Sequence, residues 1–75
     1  MEINYLPHEQ RMIDERQELE TRLINLNIFL SKGQPENMED QDWELLNTQA
    51  FAMRTYNYVL SARIRRFKQK YKTNT

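Results

Sequence analysis

The stretch Trp43–Tyr71, WELLNTQAFAMRTYNYVLSARIRRFKQKY, decides the fold. Within it Trp43, Leu46, Ala50, Met53, Asn57, Leu60, Ile64, Phe67 and Tyr71 recur at alternating intervals of three and four. That spacing places all nine on one stripe of a continuous helix. Asn57 is the one polar member. A stripe this regular is a packing device before it is anything else, so it needs a partner helix elsewhere in the chain.

The partner lies upstream. Met12, Arg16, Leu19, Leu23, Leu26 and Leu30 form a second stripe with the same intervals and again one polar member, Arg16. Residues 1–6 have no helical period and lead to Pro7, whose fixed φ and missing N–H suit a first helical turn. Glu9 complements the positive N-terminal end of the helix dipole. Gly33, the only glycine, fits the left-handed position that closes a helix. The first helix is therefore expected over about 7–32. Gln34-Pro35-Glu36-Asn37 supplies a turn, with Asn37 or Asp40 as cap for a second helix over about 38–71. The tail 72–75 is polar and is expected to fray.

Two long helices joined by so short a turn fold back on one another, so the fold class is all-α, an antiparallel αα-hairpin forming a single domain over 1–75. Setting Leu30 against Trp43 gives a register in which Leu26 meets Leu46, Leu23 meets Ala50, Leu19 meets Met53 and Met12 meets Leu60. The same register sets Arg16 against Asn57, which predicts a paired polar layer within the seam. Ile13, Ile24 and Ile28 fall off the first stripe, and Leu45, Phe51, Ala52, Tyr58 and Val59 fall off the second. One partner helix cannot cover them all. A 75-residue chain can hardly forgo that burial, so a homo-oligomeric helical bundle is expected, with a dimer its simplest form.

The formal net charge of zero hides a polar chain. All 11 acidic residues and 4 basic ones lie within 1–44, giving −7, whereas 45–75 hold 7 basic residues and no acid, giving +7. An acidic helix beside a basic one accounts for this split; phosphate recognition by the basic half is the functional reading. With no cysteine and a lone His8, thiolate and zinc sites are excluded. One glycine permits no glycine-rich phosphate loop. The expectation is a non-enzymatic protein with no cofactor and no metal. No apolar run approaches the ~18–20 residues of a membrane span, and a cytoplasmic location is expected.

The run Arg63-x-Arg65-Arg66-x-Lys68-x-Lys70-x-Lys72 is interleaved with Phe67 and Tyr71. Arginine forks meet phosphate bidentately and aromatic rings stack on bases, so the composition suits a nucleotide. It is equally an ordinary helix end, because cations complement the dipole there. The register brings Tyr5, His8 and Arg11 beside this end, and Tyr56 and Arg63 share a line flanking the seam.

Residue pattern adds a family. Gln10-Arg11-Met12-Ile13-x-Glu15, Leu19-x-x-Arg22-Leu23-x-x-Leu26 and Phe29-Leu30 in the first helix carry the resemblance. Leu45-Leu46-x-x-Gln49-x-x-x-Met53-x-x-Tyr56-x-x-Val59-Leu60-x-x-Arg63-Ile64-x-x-Phe67 carries it in the second. Over about residues 6–67 the chain resembles very small phage-encoded helical hairpins related to the anti-CBASS and anti-Thoeris cyclic-nucleotide sponges; Arg11, Glu15, Gln49, Tyr56 and Arg63 are the discriminating positions. The resemblance implies a homo-oligomer, commonly a hexamer built from dimers, that sequesters a cyclic dinucleotide or trinucleotide messenger between protomers in the infected host's cytoplasm. It implies Arg11 and Arg63 on phosphates, joined by Arg16 or Arg22 where relatives carry lysine, and Tyr5 or Tyr56 on bases. Two alternatives come from other classes: a helical interaction protein that inhibits or bridges a host or phage protein, and a nucleic-acid binder using the basic helix end.

Overall fold

The computed structural model describes residues 4–72. It is a two-helix rod about 57 Å long and 18 Å thick. Helix α1 spans Pro7–Ser31 and helix α2 spans Asp40–Lys72. Both boundaries at the turn lie inside the expected ones, and α2 runs one residue further at its far end, so Lys72 is helical rather than frayed. The rest of the expected tail, 73–75, lies outside the described residues.

Each boundary has a local cause. Leu6 is extended (φ −64°, ψ 154°) before Pro7 at the first helical position. Its backbone N–H donates to the Glu9 carboxylate at 2.9 Å, which is one half of a capping box; leucine has no acceptor with which to return the other half. At the far end of α1, Gly33 takes φ +85° and its N–H donates to the Leu30 carbonyl at 3.1 Å, the left-handed closure expected of it. The turn closes when the Met38 N–H reaches the Pro35 carbonyl at 3.1 Å. Gln34 Nε2 then donates to the Asp40 carboxylate at 2.8 Å. That bond engages Asp40, one of the two side chains expected to cap α2. The helix starts at Asp40, beyond Asn37, and the Trp43 N–H donates to the Glu39 carbonyl.

None of the fifteen residues in the two stripes is exposed. Leu19, Leu23, Ala50, Leu60, Ile64 and Phe67 form the core, with Ala50 and Leu60 each 1 % exposed. Phe29 and Trp43 approach at 6.3 Å between ring centroids near the turn, so the register agrees with the expected one to within a turn. The polar layer is different. Arg16 Nε donates to Ser61 Oγ at 2.7 Å, one turn beyond Asn57, and Asn57 Oδ1 is buried with no hydrogen-bond partner among the described residues. Arginine is long enough to reach past the position it faces, and Arg16 also lies 3.8 Å from Glu20, which holds it on the flank of the seam. Of the apolar residues off the stripes Ile13 is half-buried, whereas Ile24 and Ile28 on α1, and Leu45, Phe51, Tyr58 and Val59 on α2, remain exposed.

Leu60→Ala removes the largest fully buried side chain and should cost about 2–5 kcal/mol. Urea unfolding followed by Trp43 fluorescence should show that loss, with Asn25→Ala on the exposed face of α1 as the near-neutral control.

Candidate functional site

The open end of the hairpin, opposite the turn, is where α2 becomes basic and where the N-terminal segment returns. Tyr5 packs edge-on against Phe67 (centroids 5.5 Å apart) and Tyr71 (5.2 Å), and Lys68 Nζ stands 5.8 Å from its ring centre. The three rings form an aromatic knot that pins residues 5 and 6 to the last turns of α2. Glu9 completes it. This side chain is buried and accepts both the Leu6 N–H and the Tyr71 hydroxyl. The Tyr71 hydrogen bond, then that from Leu6, holds the Glu9 carboxyl below the usual carboxylate range. The same bond, with some desolvation, raises Tyr71 above the usual phenol value.

Beside this knot lies an open hollow of about 540 Å3. His8, Glu9 and Met12 line it from α1, and Arg63, Arg66 and Phe67 from α2. On the other side of the seam a second open hollow of about 460 Å3 is lined by Arg16, Ser61, Arg65, Lys68 and Lys72. Each hollow combines cations with apolar stems and has room for phosphate groups, and neither encloses a nucleotide by itself.

The six residues singled out for ligand binding are not gathered in one place. Arg63 lines the first hollow and Arg16 the second, so one small ligand on one protomer does not reach both. Tyr5 is in the aromatic knot. Arg22 is exposed, nearer the turn, and 3.9 Å from Glu18. Tyr56 is exposed and its hydroxyl donates to the Glu15 carboxylate, which raises its pKa through the hydrogen bond first and desolvation second. Arg11 is exposed on α1.

Helical geometry nevertheless collects the distinctive polar positions. Gln49, Tyr56 and Arg63 are seven apart on one line of α2, and Arg11, Glu15 and Arg22 fall at intervals of four and seven on one line of α1. The Tyr56–Glu15 bond joins the two lines across the seam. All of them therefore share one broad flank of the hairpin; Arg63 lines the first hollow at its open end, whereas Arg22 borders a separate open hollow on α1 with Asp14, Gln17, Glu18 and Thr21. Sequence reasoning placed Glu9 only as a partner of the helix dipole and missed its burial. The available signal was the Leu6-x-x-Glu9 spacing of a capping box together with Tyr71 on the α2 stripe. Among the described residues no group of three or more His, Asp or Glu side chains is placed to hold a metal ion, and no helix is long and apolar enough to cross a membrane.

The anchoring role of Glu9 has a pH signature. A carboxyl whose folded pKa is depressed stabilises the fold fully above its unfolded pKa, and that contribution is lost as pH falls through the folded value. Tyr71, with a raised pKa, contributes fully below the unfolded phenol value and loses its contribution as pH rises through the folded one. The clasp is thus intact between the two ranges. A carbon-detected NMR titration should place the Glu9 carboxyl below the chain's exposed glutamates, and Tyr71→Phe should move it up toward them. A Glu9 titration indistinguishable from that of the exposed glutamates would contradict the clasp.

Sequence comparison now gives the chain its place. The family described as Sequestin matches residues 6–66, so the chain belongs to the Sequestin family. No curated protein and no solved structure matches it.

Proposed function

We propose that this member of the Sequestin family is a phage-encoded sponge that binds a cyclic oligonucleotide second messenger between protomers, and so keeps the infected bacterium's defence effector from firing. The family's name speaks of sequestering. The observation that carries the finer reading is the shared face: Arg11, Arg22 and Arg63 offer guanidinium forks for phosphates, and Tyr56 offers an exposed ring for a base. That face is open, so a second copy must supply the other wall of the site. Tyr5 and Arg16 then act as frame, Tyr5 by pinning the N-terminal segment and Arg16 by bracing the seam through Ser61.

In this reading the protein makes and breaks no covalent bond. Binding removes messenger from solution in proportion to the amount of protein, and the effect ends when the ligand is released intact. The site of action is the cytoplasm of the infected cell, where such messengers are made.

One observation favours a second reading. Arg65, Lys68 and Lys72 line the second hollow together with Arg16, a concentration of cations that would attract a nucleic-acid backbone. Binding there would weaken steeply with salt.

Calorimetric titration against cyclic dinucleotides, cyclic trinucleotides and cyclic ADP-ribose isomers tests the proposal. Saturable heat is expected with at least one of them, and heating the complex should return the ligand unchanged. Arg63→Ala and Arg11→Ala should each weaken binding about tenfold to a hundredfold, as expected for loss of a charge-assisted hydrogen bond worth ~1.5–3 kcal/mol. No heat with any of the panel overturns the reading, and a gel shift with single-stranded nucleic acid that fades between low and moderate salt would favour the second.

A further inference from the structure

Helix α2 carries a second seam. Along its outer flank Glu44, Phe51, Tyr58 and Arg65 recur every seven residues, the line ending at Arg65 on the rim of the second hollow. Heptad spacing keeps them on one nearly straight line about 30 Å long, at ~1.5 Å of rise per residue. Phe51 and Tyr58 are 65 % and 71 % exposed, although their stripe neighbours on the inner face are packed. The positions between them are small: Thr48, Thr55 and Ala62. Both threonine hydroxyls turn back onto their own helix, Thr48 Oγ1 donating to the Glu44 carbonyl at 3.0 Å and Thr55 Oγ1 to the Phe51 carbonyl at 3.1 Å.

Read from one end, the line runs acid, ring, ring, base. Such an order is its own complement when reversed. Two α2 helices laid antiparallel about a twofold axis near Thr55 set Phe51 of each copy against Tyr58 of the other and Glu44 of each against Arg65 of the other. Both aromatic pairs and both ion pairs then form at once, as an isologous interface requires. The charge of the whole rod agrees. Glu36, Glu39, Asp40, Asp42 and Glu44 crowd the turn end, and the cations from Arg63 to Lys72 crowd the open end. A parallel pairing would set like charge against like; the antiparallel one sets each end against its opposite. Arg54, whose guanidinium carbon lies 5.9 Å from the Phe51 ring centre, flanks the axis.

We infer that the outer line of α2 is a homodimer interface, antiparallel and twofold, with the partner a second copy of this chain. The inference rests on the homo-oligomer in the proposed function and not on its ligand. The resulting core of two α2 helices, flanked by the two α1 helices, leaves the face with Arg11, Tyr56 and Arg63 open for a ligand or for further dimers.

The absence of cysteine makes the test direct. Thr55→Cys, near the axis, should form a disulfide-linked dimer under mild oxidation, and Gln49→Cys, on the ligand-facing side, should not. Glu44→Arg and Arg65→Glu should each weaken self-association at least about tenfold by sedimentation, because each places two like-charge pairs in one interface. The double variant E44R/R65E should restore it, which a folding defect would not. Failure of Thr55→Cys to cross-link faster than Gln49→Cys, or of the double variant to recover association, overturns this interface. That failure leaves the messenger reading to its own titration, and loss of ligand heat with cross-linking intact would strike the messenger reading alone.

Discussion

The structure depends on one strip of contact, the seam between α1 and α2. Two helices side by side can bury only the stripe each turns toward the other, and here that stripe ends in six buried apolar residues along a rod 18 Å thick. Nothing in such a rod lies far from water. The main features follow from this thinness: the seam is regular, its ends are fastened, and the apolar residues that do not fit on it stay exposed on the single hairpin. The fastenings differ in kind. At the turn a left-handed glycine and a glutamine-aspartate bond stop and restart the helix, whereas at the open end an aromatic knot and a buried carboxylate tie the N-terminal segment to α2.

Much of this was legible in the residues because helical periodicity is a strong signal in long elements. The alternating three-and-four intervals named all six buried apolar residues of the seam, and Pro7 and Gly33 marked α1's ends for reasons of backbone geometry that hold in any context. Side-chain reach was not legible. Arg16 and Asn57 face one another on a helical net, yet the arginine extends to Ser61 and leaves the asparagine oxygen without a partner among the described residues. Glu9 shows the same limit: a carboxylate near a helix start reads as a dipole effect until the returning chain shows that Tyr71 lies above it. The candidate site was legible as a set of residue types but not as a place. Periodicity assigns Tyr56 and Arg63 to one line, but only the packed hairpin shows Tyr56 bonded across the seam to Glu15, on the line of α1 that also carries Arg11, while Arg16 faces the opposite hollow.

The charge pattern links the fold to its use. Segregating acid at the turn and base at the open end costs little within one hairpin, since the two ends are far apart on the scale of ionic screening. It also gives the rod a direction, so that copies which meet have a preferred way to lie, and it concentrates guanidinium groups where a phosphate-bearing ligand would be drawn. An unclosed cationic face and uncovered apolar lines are both what the proposed function calls for, a chain of the Sequestin family that supplies half of a core and half of a site.

The central claim is that the hairpin is completed by its own copies. Equilibrium urea unfolding over a hundredfold range of protein concentration tests it most directly. If folding and association are coupled, the midpoint rises with concentration, because mass action stabilises the assembled state. A midpoint that stays fixed across the range, together with the mass of one chain before the transition, would contradict the account.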